Sequence, residues 1–288
     1  MPQSLVLKNG SCEAVISSLG AELMEWRIGG RELVWNGDAR WWPRRSPTLF
    51  PFCGWLNGGK FRAKGKEYPT EVHGFGRDTE FSLEQTGAAS ARMVLVDMPE
   101  TRAQFPYAFS LEVSVDVKAD GVSFLFKVSN PASEVLPYSL GFHPGFVWPF
   151  DGGNEEDYFV EFDAEDSPIA PKIIPGGLFT REKIDIPLVG KRFDPIAALK
   201  LQDSIFMPDT KSQRADFVGP NGRRIRVVTE SFPNWVIWRK TDGAYLCIER
   251  WSGQGDPVGF DKEIIDKPGM KLLAPGAADT YAFHMSFI

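Results

Sequence analysis

An all-β fold, a large antiparallel β-sandwich, is predicted for this chain by three observations. Apolar and polar residues alternate over long stretches, turn-forming Asp-Gly and Asn-Gly pairs separate the alternating runs, and helical periodicity is nearly absent. The N-terminal Met1-Pro2-Gln3-Ser4 leads directly into an alternating strand, which Asn9-Gly10 interrupts. Leu111, Val113, Val115 and Val117 alternate with polar residues. Asp120-Gly121 follows, and Val122, Phe124, Phe126 and Val128 resume the pattern, which predicts a hairpin. Asn221-Gly222 and Asp242-Gly243 stand between apolar runs in the same way. No segment holds a three-to-four apolar period for a dozen residues, and only Pro195 to Leu199 suits a short helical turn. Long irregular stretches, rich in Pro, Gly and aromatic residues, are expected at 36–57, 151–154 and 163–187; loops of such length are usually functional. Without a repeat, a low-complexity tract or a linker, residues 1–288 are expected to form one domain.

Composition narrows the function. A chain of 288 residues that is 43% hydrophobic can bury a large core. The net charge of -6, with 32 basic residues scattered among 38 acids, argues against a nucleic-acid partner and favours a small-molecule substrate. No signal-peptide pattern or long apolar span is present, so no membrane association is expected. Cys12, Cys53 and Cys247 form no C-x-x-C pair, so a disulfide framework and a structural zinc site are not indicated; a reducing cytoplasm is the expected setting. Oligomeric state is not readable from the sequence.

Two of the three histidines lie in glycine-flanked, aromatic settings: Glu71-Val72-His73-Gly74-Phe75-Gly76-Arg77-Asp78 and Gly141-Phe142-His143-Pro144-Gly145-Phe146. Histidine titrates nearest to cellular pH, so such settings suit acid/base groups. Gly74 and Gly76 allow a close backbone approach at His73, and Pro144 biases His143 to an extended conformation. Each is also explained by a buried imidazole satisfied by a backbone carbonyl. Glu249, in Cys247-Ile248-Glu249-Arg250-Trp251, ends an apolar strand-like run. A surface glutamate on a polar strand face explains it, and so does a base at a rim where Trp251 and the Gly253-Gln254-Gly255-Asp256 loop meet. Cys247 reads as a packed cysteine. Among nine tryptophans, Trp41, Trp42, Trp148, Trp238 and Trp251 are candidates to offer flat faces to a ligand, although most are expected in the core.

These strings, together with Leu49-Phe50-Pro51-Phe52-Cys53-Gly54, Ile237-Trp238 and the closing Lys267-Pro268-Gly269-Met270 and Leu273-Ala274-Pro275-Gly276, resemble in order the aldose 1-epimerase (mutarotase) family and its LacX-like bacterial branch. The resemblance runs from about Ser4 to the C-terminus. It implies a galactose mutarotase-like supersandwich that binds sugar in an open groove on one sheet and interconverts α and β anomers without metal or organic cofactor. By the same resemblance Glu249 matches the general base, His143 the acid that protonates the ring oxygen, and His73 a second histidine that polarises the sugar. Asp203 resembles a hydroxyl-binding aspartate, and Arg45 and Arg77 resemble basic residues of the groove. Arg250 stands where this branch commonly has proline, and Trp55 where a basic residue is frequent, departures expected to alter the groove.

The chemistry is intelligible on its own terms. Ring opening removes a proton from the C1 hydroxyl while one is delivered to the ring oxygen, and a carboxylate with an imidazolium can do both. Other readings remain: a facial triad of His73, His143 and Glu249 on iron or zinc, a non-catalytic carbohydrate-binding protein, and a hexose-6-phosphate 1-epimerase that uses Arg45 and Arg77.

Overall fold

The structure is a computed structural model that describes residues 2–288. Two large antiparallel sheets face each other. The larger has ten strands, in the order Leu188–Val189, Arg192–Phe193, Phe159–Phe162, Arg214–Val218, Arg224–Glu230, Ala278–Phe287, Gly121–Ser129, Ser110–Lys118, Ser90–Val96 and Ser82–Gly87. The second has Ser204–Met207, Asn234–Trp238, Tyr245–Trp251, Gly141–Phe142 and Thr48–Leu49 in that order, with Gly145–Val147 also paired to Tyr245–Trp251. Ser4–Asn9, Cys12–Ser17, Glu22–Ile28 and Arg31–Glu32 make a four-stranded sheet beside them.

The alternation places the core. Leu111, Val113, Val115, Val117, Val122, Phe124, Phe126 and Val128 are all buried. Phe142 of the second sheet meets Phe124, Phe126 and Phe283 of the first, with ring centroids 4.7, 5.4 and 5.0 Å apart. Facing aromatic surfaces of this kind weld two sheets into a sandwich.

The expected hairpin forms, but its turn is Ala119–Asp120. Gly121 is already in the strand, opposite Lys118. Its glycine answers to a neighbouring strand rather than to the turn, since a Cβ there would overlap the Met285 carbonyl oxygen. Pro195–Leu199 is a short helix capped by Asp194, whose Oδ1 accepts from the Ala197 amide at 3.0 Å. A second short helix, Pro99–Gln104, is not marked by any periodicity in the sequence. The 163–187 stretch is not wholly irregular: Ile169–Ile173 and Phe179–Asp185 pair as a hairpin with a register shift. Pro171 and that shift hide the strand pattern. No described helix is long and apolar enough to cross a membrane.

Candidate active site

The Tyr245–Trp251 strand explains why distant motifs meet. It is buried along its whole length, so its two faces do different things. Leu246, Ile248 and Arg250 point between the sheets, while Cys247, Glu249 and Trp251 point to the outer face. There Glu249 and Trp251 form part of the floor of a cavity of about 430 Å³, within the range of small-molecule sites. Glu249, His143, His73, Arg77, Asp203 and Trp251 all line or floor it.

His143 follows the Gly141–Phe142 strand, which pairs with Tyr245–Trp251 on the side away from Asn234–Trp238. This brings His143 Nε2 to 3.3 Å from Glu249 Oε1. Trp251 Nε1 donates to the other carboxylate oxygen, Oε2, at 2.8 Å. Glu249 is therefore not at a polar rim but fully buried, at 0% exposure, held by the Trp251 indole with the His143 imidazole beside it. Burial pushes its carboxyl well above the usual carboxylate range, with the Trp251 bond acting in the opposite sense. Burial also pulls the His143 imidazole down to about 3, its own backbone carbonyl opposing and Arg77 assisting. Burial thus favours a neutral carboxyl and a neutral imidazole in this pair. Moving one proton from Glu249 to His143 creates the carboxylate and imidazolium without changing net charge.

His73 is held by a reciprocal backbone clamp. Its amide donates to the Gly54 carbonyl at 3.0 Å, and its Nδ1 accepts from the Gly54 amide at 3.0 Å. A neutral imidazole that accepts at Nδ1 carries its proton on Nε2. Although His73 remains open to the cavity, its surroundings hold its pKa well below the ordinary value, first by burial, then by His143 and Arg77. His73 has φ +69°, an uncommon left-handed conformation for a residue with a side chain, and the clamp sustains it. Gly74 does provide a close backbone approach, but toward Phe50 and Pro51: a Cβ would lie 2.6 Å from the Phe50 carbonyl oxygen.

Arg77 and Arg45 separate. Arg77 lines the cavity, with Nε 3.2 Å from Asp78 Oδ2. Arg45 does not line it: its Nη1 donates to the Met24 carbonyl at 2.6 Å and its amide to Glu22 Oε1 at 2.6 Å. The four-stranded sheet captures the Arg45 side chain, so the residue expected in the groove is not among those lining this cavity. Arg250 does not shape the groove either. Its guanidinium donates to Thr210 Oγ1 at 3.1 Å, to Gln213 Oε1 at 3.3 Å and to the Phe232 carbonyl, and lies 4.2 Å from the Trp235 ring centroid. Trp55, by contrast, is part of the cavity wall.

Of the five candidate tryptophans, Trp42, Trp238 and Trp251 line the cavity. Trp42 stacks on His143 with centroids 4.8 Å apart, a contact the sequence did not specify. Trp148 is in the core. The hairpin turn 173–177, Phe179 and Phe206 also line the cavity; for the first two the signal in the sequence was the length of the 163–187 stretch, and Phe206 had none. Among the described residues, His143, Cys247 and Glu249 can bring one ligand atom each within 4.8 Å of one another. That mixed donor set would suit zinc, and it has Cys247 where the facial-triad reading had His73.

The site thus joins a buried carboxylate, two histidines and aromatic walls on one sheet of a β-sandwich. Residues 3–282 match the family model described as aldose 1-epimerase, and the chain belongs to that family. It is 28% identical over 284 residues to the plasmid-borne protein LacX of Lactococcus lactis subsp. lactis, covering 94% of this chain and 95% of that protein. The structure is similar to a galactose mutarotase-like protein from Lactobacillus casei ATCC 334, with TM-score 0.91 and 26% identity over 99% of this chain and 100% of that one. A galactose mutarotase related enzyme from Lactobacillus acidophilus gives TM-score 0.90 and 25% identity over 99% and 97% of the two chains.

Proposed function

We propose that the protein interconverts the α and β anomers of a free aldose, with Glu249 as base, His143 as acid and His73 as a polarising donor. The observation that carries this reading is the buried His143–Glu249 pair, 3.3 Å apart on a cavity floor. When a sugar enters, the C1 hydroxyl gives its proton to the Glu249 carboxylate and the ring oxygen receives one from His143. The C1–O5 bond opens, the C1–C2 bond turns, and the reverse transfers close the ring on the other carbonyl face. Each proton transfer contributes on the order of 10²–10⁴-fold. The His73 Nε2–H is suited to donate to the same ring oxygen. No step calls for a Lewis acid or an electron carrier.

Arg77 is the one arginine or lysine lining the cavity among the described residues, which favours a free aldose over a phosphorylated one. The core cluster reaches from Leu7 to Met285, in keeping with a single working domain. Three buried free thiols fit a reducing cytoplasm. The test is a panel that follows anomer interconversion of free and 6-phosphorylated aldoses by polarimetry. Catalysis of free aldoses is expected; binding without interconversion of any aldose would replace the enzyme with a carbohydrate-binding protein.

A further inference from the structure

We propose that His143, Cys247 and Glu249 form an inhibitory zinc site, in which one Zn²⁺ takes the imidazole, the thiolate and the carboxylate together and so withholds the acid and the base from the sugar. The inhibitory part rests on the epimerase reading; the metal site itself does not.

Strand register builds the site. Gly141 pairs with Trp251 and Gly145 with Cys247, so His143, midway between the two glycines, stands opposite Glu249. Cys247 and Glu249 are two residues apart on one strand and therefore share its outer face. The three donors are thus a cross-strand pair and its next neighbour on the same face, and one ligand atom from each lies within 4.8 Å of the other two. His143 Nε2 and Glu249 Oε1 are 3.3 Å apart, which is the separation of two ligand atoms held at about 2.0–2.1 Å on a tetrahedral zinc ion. Yet the two make no hydrogen bond, and Glu249 Oε1 is a fully buried oxygen without a partner. Trp42 stacks on the His143 ring with centroids 4.8 Å apart, which fixes the imidazole and leaves its nitrogen edge to coordinate. Completing the site asks the Cys247 thiol for a shift of at most roughly 1 Å, toward a Zn–S bond of about 2.3 Å.

Charge balance suits zinc in so dry a place. Without metal the three groups are a carboxyl, an imidazole and a thiol, each kept neutral by burial. Zinc binding releases the carboxyl and thiol protons to solvent, and the two anions formed cancel the dipositive ion, so the buried site stays neutral overall. One nitrogen, one sulfur and one oxygen are zinc donors, whereas calcium and magnesium take oxygen ligands. The ion has a route: His143 and Glu249 line the cavity, so zinc reaches them first and the fully buried Cys247 last. Arg77, the cation on the cavity wall, lies 3.2 Å from Asp78, which moderates its repulsion of an incoming ion. With zinc bound, the Glu249 carboxylate cannot accept the C1 proton and the His143 nitrogen cannot carry one to the ring oxygen.

The experiment titrates zinc chloride into metal-free wild type, Cys247→Ala and Cys247→Ser. Polarimetry follows anomer interconversion of a free aldose, calorimetry follows binding, and cobalt(II) serves as a spectroscopic probe. One zinc per chain is expected to bind the wild type and stop turnover, and a chelator should restore it. Both variants should keep the wild-type rate without zinc. They should need about a hundredfold more zinc for half-inhibition, the upper end of what losing a hydrogen-bond partner of a metal ligand costs. Cobalt(II) should give a thiolate charge-transfer band in the wild type that is absent from both variants. A wild type that turns over the aldose but neither binds zinc nor is inhibited by it overturns the site and leaves the epimerase reading intact, as does equal inhibition of all three proteins. A cobalt–thiolate band lost in the variants, in a protein that turns over no aldose with or without metal, supports the site and removes the epimerase reading. Turnover that requires zinc overturns the inhibitory role.

Discussion

His143 Nε2 lies 3.3 Å from Glu249 Oε1, and neither residue exposes more than 7% of its side chain to solvent. A carboxyl and an imidazole this close and this dry form one titrating unit. Burial drives both toward neutrality, while the proposed reaction needs them charged, so the predictions concern how a substrate or a mutation tips that balance.

Replacing the base should separate activity from stability. Glu249→Gln is expected to lower kcat by about 10²–10⁴-fold, because the amide keeps the shape but accepts no proton. It should also melt higher than the wild type at neutral pH. The raised folded pKa of Glu249 gives stability that is fully present below its unfolded value and is lost as pH rises through the folded one. The Tm advantage of the glutamine variant should therefore grow with pH above about 4.5. Polarimetry and thermal melts over a pH series check both parts, and His143→Asn should lose activity to a similar degree.

The alkaline limb of kcat/KM should report the raised Glu249 pKa, since the active carboxylate–imidazolium pair carries the same single proton as the neutral pair and activity is lost when that proton leaves. Trp251 Nε1–H favours the ionised form. Trp251→Phe should therefore move the limb to still higher pH. A limb that stays in place in this variant would detach Trp251 from the control of Glu249.

Arg77 and Arg45 should differ in kind. Arg77→Ala is expected to cost on the order of 1.5–3 kcal/mol in kcat/KM, the range of a charged hydrogen bond, or roughly ten- to 150-fold. Arg45→Ala should chiefly lower Tm, through the lost bond to the Met24 carbonyl. Paired assays on sugars with and without a 6-phosphate would show whether the Arg77 loss requires the phosphate; a loss confined to the phosphorylated sugar would turn the substrate assignment around.

Activity should survive exhaustive chelation, because proton transfers alone carry the proposed reaction. Metal analysis alongside the assay decides it. A stoichiometric transition metal whose removal stops turnover would shift support to a metal centre on His143, Cys247 and Glu249.

Arg250→Ala should destabilise the fold by about 2–4 kcal/mol, since it leaves the Phe232 carbonyl unpartnered and removes the guanidinium from the Trp235 ring. The folded fraction should keep its anomerisation rate. A selective loss of kcat with unchanged Tm would place Arg250 in the site after all.

The fold was legible because a half-buried strand writes its two environments into alternate residues. Leu111 to Val128 shows this along both arms of one hairpin. The same logic left Arg250 unreadable, since an arginine facing the core breaks the pattern and its partners, Thr210, Gln213 and Phe232, are far away in sequence. Pro171 and a register shift concealed the Ile169–Asp185 hairpin for a related reason: local irregularity removes the period that reveals a strand.

The sequence by itself determined the sheet-rich architecture and the identities of the groups with the right chemistry: two histidines in unusual local settings and a glutamate on an apolar strand. Only the tertiary structure decided that Glu249 is buried rather than at a rim, that Arg77 reaches the cavity while Arg45 is captured by Met24, and that Trp55 forms a wall. The physical reason is that residue type and local periodicity record the preferences of one segment. Burial, proton affinity and the direction of a long side chain depend on strands paired across more than a hundred residues, as His143 is brought to Glu249 by the pairing of Gly141 with Trp251.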